Sequence, residues 1–275
     1  MSLRINTNVS SLGVQRALSQ NQKATERTTL NVATGSRVSD PSADVAATAI
    51  NAQMTTQLAS LGAAKQNADS ATDISAIAEG SLSEQSNILN RMRELAVQSA
   101  SDTFTDTERA MMQKEFSQIS EESDRIAKTT KYGDKNLLDG SSNKFEFQVG
   151  TTAGAESRIS TTVNANTTSD ELNTDSASVS SKSVARSAIT TIDKGLESVN
   201  LQRASFAATQ SRLESAGNSL GANIENLSKA KSHVADADLA KEISDLRREQ
   251  VLQHYQVTIL QQVNDQPNLA LRLIG

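Results

Sequence analysis

Cysteine and tryptophan are absent from this 275-residue chain, aromatic residues make up only 3 % of it, and proline occurs only at Pro41 and Pro267. Without cysteine there are neither disulfides nor thiolate metal ligands. A compact core of this size normally contains more large rings, whereas a thin helical rod can be built from small aliphatic residues. Because proline breaks helices, the interval between the two prolines permits very long ones.

The sequence signals of several function classes are also missing. The net charge is −5 and no basic run with interleaved aromatics occurs, which argues against a nucleic-acid binder. The N-terminal segment lacks the apolar stretch of a secretory signal, and no run approaches the ~18 apolar residues of a membrane span. His233 and His254 are isolated, and no nucleophile with its base is recognisable. We therefore expect no enzyme, no cofactor or metal site and no membrane span.

A heptad ladder runs from Ile189 to Val234. Its apolar residues recur at alternating steps of three and four, which places them along one side of a helix. The positions are Ile189, Ile192, Leu196, Val199, Phe206, Leu213, Leu220, Ile224, Leu227 and Val234. At about 1.5 Å per residue this helix would be roughly 70 Å long, and its stripe must pack on other helices.

Two helices are predicted at the start of the chain. The first runs from about Asn8 to Ala33, and Gly35 suits its C-terminal cap. The second is predicted to begin with Asp40 as N-cap and Pro41 at its first position, and to continue to about Ser101.

The middle of the chain changes its periodicity. A third helix is predicted near 106–129, opened by the capping box Thr105–Glu108 and ended by Tyr132–Gly133. Alternating apolar and polar residues then predict a β-hairpin near 144–163. The following Ser/Thr-rich segment, near 164–184, is expected to be a solvated outer loop because it has few large apolar groups.

Helical segments with apolar stripes occupy both ends of the chain, and a last helix is predicted from near Leu239. The stripe residues are Val9, Leu12, Leu18, Leu239, Ile243, Leu246, Leu252, Tyr255, Ile259 and Val263. We expect segments 1–42 and 236–275 to pair as antiparallel helices and 43–235 to form a separate helical domain. The predicted fold is mainly α, an elongated antiparallel bundle or coiled coil with a small β-hairpin region. Exposed stripes of this kind need a membrane or other copies of the chain.

Short motifs along the chain resemble those of the bacterial flagellins. Arg91–Ser99 is similar to the most recognisable stretch of that family, Ile5–Asn8 to its opening, and Thr34–Val38 to its first interhelical segment. Phe147–Gly150 follows in the expected order. The resemblance covers nearly the whole chain except about 151–185, and several motifs in one order are more specific than any single one.

The resemblance implies a structural subunit that self-assembles into the helical flagellar filament for motility, in a minimal form without large outer domains. In this family the terminal segments, here 1–42 and 236–275, form an inner tube, and the remainder, here 43–235, forms an outer layer. Implied partners are further copies of the chain, the flagellar type III exporter, an export chaperone at the C-terminal helix, and the hook-associated and cap proteins. The implied location is extracellular, in the flagellar filament, which explains why no signal peptide is recognisable.

The resemblance also implies recognition by the vertebrate innate flagellin receptor. In the family that receptor contacts a helix face that matches Arg91 and Leu95, together with an acidic residue that matches Glu115 on the neighbouring helix. We therefore expect these three side chains to converge on one face, although Leu95 could instead pack inward.

Two alternatives remain at this point. A hook–filament junction protein of the same family would share the terminal helices. A cytosolic helical signalling hairpin, as in chemoreceptors, belongs to a different class, and it would have a helical tip where this chain has predicted strands. It would also need a membrane anchor.

Overall fold

Helices dominate the protein. The computed structural model describes residues 8–141, 143–163 and 165–274. Within these ranges the helices are α1 (Val9–Thr34), α2 (Val45–Ser99), α3 (Asp106–Thr129), α4 (Lys182–Ala235) and α5 (Leu239–Ile274). The mainly α fold predicted from the sequence is confirmed. The beginning of the family motif Ile5–Asn8 lies outside the described residues.

Local capping signals explain both ends of α1. The side chain of Asn8 accepts a hydrogen bond from Ser11 N at 3.0 Å and thereby caps the first turn. Gly35 has φ +66°, the left-handed conformation that glycine adopts without a steric penalty. The predicted C-terminal cap is confirmed.

The start of α2 differs from the prediction. Asp40 does not cap this helix, because its Oδ1 accepts a hydrogen bond from Ser42 N at 2.9 Å and closes a turn at residues 41–43. The cap is Asp44, whose Oδ1 lies 2.9 Å from Ala47 N. The helix therefore begins at Val45 rather than at Pro41.

The capping box of α3 is confirmed, since Thr105 Oγ1 accepts from Glu108 N and the Glu108 side chain accepts from Thr105 N. The predicted bounds near 106–129 are confirmed, although Tyr132–Gly133 is not the signal that ends the helix. The helix stops at Thr129, and the chain forms strands β1 (Lys131–Tyr132) and β2 (Lys135–Asn136), which pair antiparallel. Gly133, with φ +59°, lies in the turn between them.

The predicted hairpin near 144–163 is confirmed. Strands β3 (Asn143–Gln148) and β4 (Arg158–Val163) pair antiparallel, with Phe147 opposite Ile159. The rings of Phe145 and Phe147 stack with their centroids 6.0 Å apart, and Lys135 Nζ lies 4.9 Å from the centre of the Phe145 ring. Phe145 is buried and Phe147 packs against the same core, so the rings attach the hairpin to the core of the chain.

The chain divides into two compact units. The first contains both ends of the chain, through Leu58 and from Glu225, and the second comprises Ala59–Ile224. The core of the second unit is built by α2, α3 and the first part of α4. Its most completely buried large side chains include Leu82, Leu89, Met92, Phe116, Ile192 and Val199. The heptad ladder of α4 faces inward as predicted, since Phe206, Leu213 and Leu220 are buried as well.

The Ser/Thr-rich segment is not the solvated loop that its composition predicts. Residues 165–181, here called the strap, carry six buried side chains, namely Ala165, Thr167, Ser169, Leu172, Thr174 and Val179. Polar side chains of α2 satisfy part of its backbone: Gln85 Nε2 donates to Thr167 O at 3.2 Å, and Ser99 Oγ donates to Val179 O at 2.5 Å. These bonds come from partners distant in sequence and offset the loss of water at the buried backbone carbonyls.

Candidate assembly surface on the terminal helices

Helices α1 and α5 pair antiparallel. At one end Asn8 Nδ2 donates to Val263 O at 3.0 Å, and Ser11 Oγ donates to Asn264 Oδ1 at 2.8 Å. Further along, Asn21 Nδ2 donates to Glu249 O at 2.9 Å. The predicted antiparallel pairing of the two terminal helices therefore exists within one chain.

The contact between the two helices contains many polar residues beside apolar ones such as Val14 and Leu18. The buried residues of α1 are Ser11, Asn21, Thr28 and Asn31. The partly buried side of α5 includes Glu249, Gln253 and Gln256 beside Leu246, Leu260 and Val263. We call Ser11, Asn21, Thr28, Asn31, Glu249, Gln253 and Gln256 the polar seam. No sequence signal considered above predicted it, because polar residues on an amphipathic helix are normally assigned to the solvent side.

Large apolar side chains lie outside this contact. Of the ten stripe residues predicted from the sequence, the exposed ones are Val9, Leu12, Leu239, Ile243, Leu252, Tyr255 and Ile259. Leu18, Leu246 and Val263 are partly buried. Tyr255 is 63 % exposed, and Leu30, Val251 and Val257 add to the same exposed apolar set. An isolated soluble protein rarely leaves so much apolar area on two neighbouring helices, which marks them as an interaction surface.

Glu249 is the charged member of the polar seam. Its Oε1 accepts a hydrogen bond from Thr28 Oγ1 at 3.3 Å, while its Oε2 is buried without a hydrogen-bond partner among the described residues. A cleft of about 300 Å³ beside it is lined by Arg27, Arg37 and Glu242 among others. Among the residues that the structure describes, one polar side chain, that of Thr28, bonds to this carboxylate.

The predicted receptor face is not assembled as expected. Arg91 Nη2 and Nε lie 2.7 and 3.0 Å from Glu115 Oε1, and Arg91 Nη1 lies 3.0 Å from Glu94 Oε2. The pKa of Arg91 is raised, chiefly because its guanidinium donates to Glu115 and then to Glu94. Leu95, however, is only 2 % exposed and belongs to the core. The two charged residues meet at the surface, and Leu95 points inward because its side of α2 faces the core.

The described parts of the chain contain no candidate membrane span and no candidate metal site. No helix there combines the length and apolarity that crossing a bilayer requires. No group of three or more His, Asp or Glu side chains is arranged there to hold a metal ion.

Comparison with known families assigns the two halves of the chain. The profile described as the bacterial flagellin N-terminal helical region matches residues 5–143, and the profile of the bacterial flagellin C-terminal helical region matches residues 189–274. The chain belongs to the bacterial flagellin family. The two matched ranges include α1 and α5, the helices that carry the exposed apolar set.

Individual relatives align along nearly the whole chain. A flagellin of Halalkalibacterium halodurans is 34 % identical over 284 residues, covering 98 % of this chain and 99 % of the relative. The flagellar filament 30.7 kDa core protein of Treponema maltophilum is 32 % identical, again covering 98 % and 99 % of the two chains. Among solved structures, the crystal structure of Bacillus cereus flagellin has a TM-score of 0.51 and 27 % identity, covering 56 % of this chain and 88 % of that one.

Proposed function

We propose that this chain is a structural subunit that self-assembles through α1 and α5 into the helical flagellar filament and so serves motility. Relatives named flagellin and flagellar filament core protein match it over almost their full lengths, which favours this function over a hook–filament junction protein or a signalling hairpin. The structural observation that carries the proposal is the exposed apolar set, which the mutual contact of α1 and α5 leaves uncovered.

Burial of the exposed apolar set supplies the driving force for assembly. Removing a Leu, Ile or Val side chain from water stabilises a contact by about 1.5–3 kcal/mol, and several such groups lie on each subunit. A contact between unlike surfaces that does not close on itself generates a helix rather than a ring. In this proposal segments 1–42 and 236–275 form the inner tube and 43–235 the outer layer of the filament.

The remaining partners follow from filament biogenesis. We propose that the flagellar type III exporter carries the chain to an extracellular location and that an export chaperone covers α5 before export. The hook-associated and cap proteins are further partners in this proposal. The exposed apolar residues of α5 support a chaperone, since Leu252, Tyr255 and Ile259 need cover before assembly. The protein's role in this scheme is structural rather than catalytic.

Recognition by the innate flagellin receptor stays a prediction that rests on Arg91 and Glu115. Both side chains are partly exposed and already paired with each other. A receptor-activation assay with Arg91→Ala and Glu115→Ala would test it. Leu95→Ala is not informative there, because this buried substitution changes stability.

Seeded assembly tests the proposed function. Purified full-length chain is mixed with short filament fragments and imaged by electron microscopy, and the sedimentable fraction is followed over time. We expect long filaments whose growth depends on the seeds. Discrete particles or short capped ends would contradict a filament subunit and favour the junction protein.

A further inference from the structure

The interruption between α4 and α5 contains no helix-breaking residue of its own. Residues 236–238 are two aspartates and an alanine, without glycine or proline. The interruption between α1 and α2, by contrast, contains Gly35 with φ +66° and Pro41. Asp238 caps α5 by accepting from Ala240 N at 3.0 Å, but an N-cap marks where a helix can start and does not oblige the preceding helix to stop. The end of α4 therefore calls for another cause.

A hydrogen bond that would join α4 to α5 is diverted to another part of the chain. A continuous helix needs the N–H groups of residues 237–239 to donate to the C=O groups of residues 233–235. Ala237 N donates instead to Gly35 O at 2.9 Å. The connection between α1 and α2 thus supplies the acceptor that the end of α4 would otherwise provide.

The carbonyls at the end of α4 are bonded to the same connection. Val234 O accepts from Arg37 Nη2 at 2.8 Å. Ala235 O accepts from Arg37 N at 2.7 Å and from Ser36 Oγ at 3.1 Å. The last carbonyls of a helix carry partial negative charge, which favours a guanidinium beside them. Residues 35–37 therefore compete, at consecutive positions, with the hydrogen bonds that would extend α4.

The interruption also changes the phase of the helix. In steps of seven, the ladder position of Ile224 leads to Ile259 in α5, and that of Leu227 leads to Tyr255. Both ladder residues of α4 are partly buried, whereas Tyr255 and Ile259 are exposed. The partly buried Leu260 lies one residue further on, a rotation of about 100°. An uninterrupted helix would return Tyr255 and Ile259 to the side that carries the ladder.

We propose that the interruption between α4 and α5 is conditional: residues 35–37 impose it, and when they are displaced the two helices join through residues 236–238. Arg37 is a positioning residue in this device, because it acts through the end of α4. The consequence for assembly rests on the proposed function, since the interruption leaves Tyr255 and Ile259 available to neighbouring copies. The alternative is that Asp238, the local cap of α5, sets the interruption by itself.

Backbone NMR of the full-length chain distinguishes the two causes, because the Cα chemical shifts of residues 236–238 report whether they are helical. The bridge variant is Ser36→Ala/Arg37→Pro, which removes the three donors of these residues to the end of α4. Ser36 forms a β-bridge with Asp236, and extended backbone suits the position before a proline. We expect non-helical shifts in the wild type and, in this variant, a move of at least about half-way to the helical shifts of residues 228–232, because the competing donors are gone.

Three further variants serve as controls. Arg27→Ala removes a guanidinium that lines the same cleft as Arg37 and should leave the shifts unchanged. Asp238→Ala removes the local cap and should leave residues 236 and 237 non-helical. Ser36→Ala/Arg37→Ala keeps the backbone donor of residue 37 and should change the shifts in the same direction as the bridge variant, by a smaller amount.

The outcomes are distinct. The conditional interruption is refuted if residues 236–238 stay non-helical in both variants of residues 36 and 37, or if Asp238→Ala alone makes them helical. Misfolding does not imitate the expected result, since it removes helix rather than adding it.

Seeded assembly tests the consequence for the filament. We expect the bridge variant to elongate at least about tenfold more slowly than Arg27→Ala, the effect of losing one buried apolar side chain from each subunit contact. Equal elongation of the two variants would overturn the role of the interruption in assembly. A wild-type chain that shows the expected shifts but never elongates filaments would refute the proposed function and leave the conditional interruption standing.

Discussion

The Gln113 side chain of α3 accepts a hydrogen bond from the backbone N–H of Val179, with Oε1 2.6 Å from that nitrogen. The same oxygen accepts from Ser178 Oγ at 2.9 Å. Val179 is fully buried, so one glutamine anchors the end of the strap that leads into α4.

The strap should therefore contribute measurably to stability. Gln113→Ala leaves the buried Val179 N–H without its partner, and we expect it to lower the free energy of unfolding by about 1–3 kcal/mol. Gln118→Ala, at an exposed position of the same helix, should change it by less than about 0.5 kcal/mol. Urea unfolding followed by circular dichroism measures both. Equal stabilities would mean that the strap is held by its other contacts.

Two leucines of α4 give a matched test of the inward stripe. Leu213 is 1 % exposed and Leu201 is 65 % exposed. We expect Leu213→Ala to destabilise the second unit by about 2–5 kcal/mol through lost burial and a cavity, and Leu201→Ala to have little effect. Thermal unfolding of the two variants would settle the difference. Similar costs at both positions would contradict the assigned facing of α4.

The exposed apolar set should be required for assembly but not for folding. Leu252→Asp or Ile259→Asp places a carboxylate where a neighbouring copy would bury it, at a cost of several kcal/mol per contact. Because both side chains are exposed in the single chain, the unfolding transition of the second unit should be unchanged. The measurement is the sedimentable fraction after seeding, with Thr258→Asp, at an exposed polar position, as the control. If Leu252→Asp or Ile259→Asp still forms normal filaments, the substituted residue does not lie in the contact between subunits.

Asp124 links α3 to the strap and makes stability depend on pH. Burial, the largest influence, acts to raise the pKa of the Asp124 carboxyl, but hydrogen bonds from Lys128 and from Ser169 outweigh it and hold the pKa below the usual 3.8. The stabilisation is therefore present above about pH 3.8 and is lost as the pH falls through the lower folded-state value.

Asp124→Asn should remove this dependence. We expect the difference in unfolding free energy between wild type and variant to be constant from about pH 7 to 5 and to shrink below about pH 4. Urea titrations at several pH values provide the test. If the unfolding free energies of the two proteins stay parallel down to about pH 3, protonation of Asp124 does not control the pH dependence of stability.

Features that depend on neighbours in sequence were predictable here, and those that depend on distant partners were not. Gly35 and the Thr105–Glu108 capping box follow from local backbone geometry, and both predictions are confirmed. Asp40 and Asp44 are both suitable caps by residue type, and only the path of the chain after Pro41 selects Asp44.

Burial of polar segments was the main feature that the sequence did not reveal. The strap is rich in Ser and Thr, a composition typical of solvated loops, yet Gln85 and Gln113 bind its backbone from helices far away in the chain. The polar seam has the same origin, because Asn21 finds its acceptor at Glu249, on the last helix. The sequence left the orientation of Leu95 open for a related reason, since an apolar residue in a family motif can either contact a partner protein or pack in the core.

The pairing of α1 with α5 also ties the first helix to the last. During synthesis α1 leaves the ribosome long before α5 exists, and the loop that must close between them spans most of the chain. A product that ends early has no helix with which α1 can pair, however well its second unit folds. A chain that lacks its last helix would present α1 without its hydrogen-bond partners at Glu249, Val263 and Asn264.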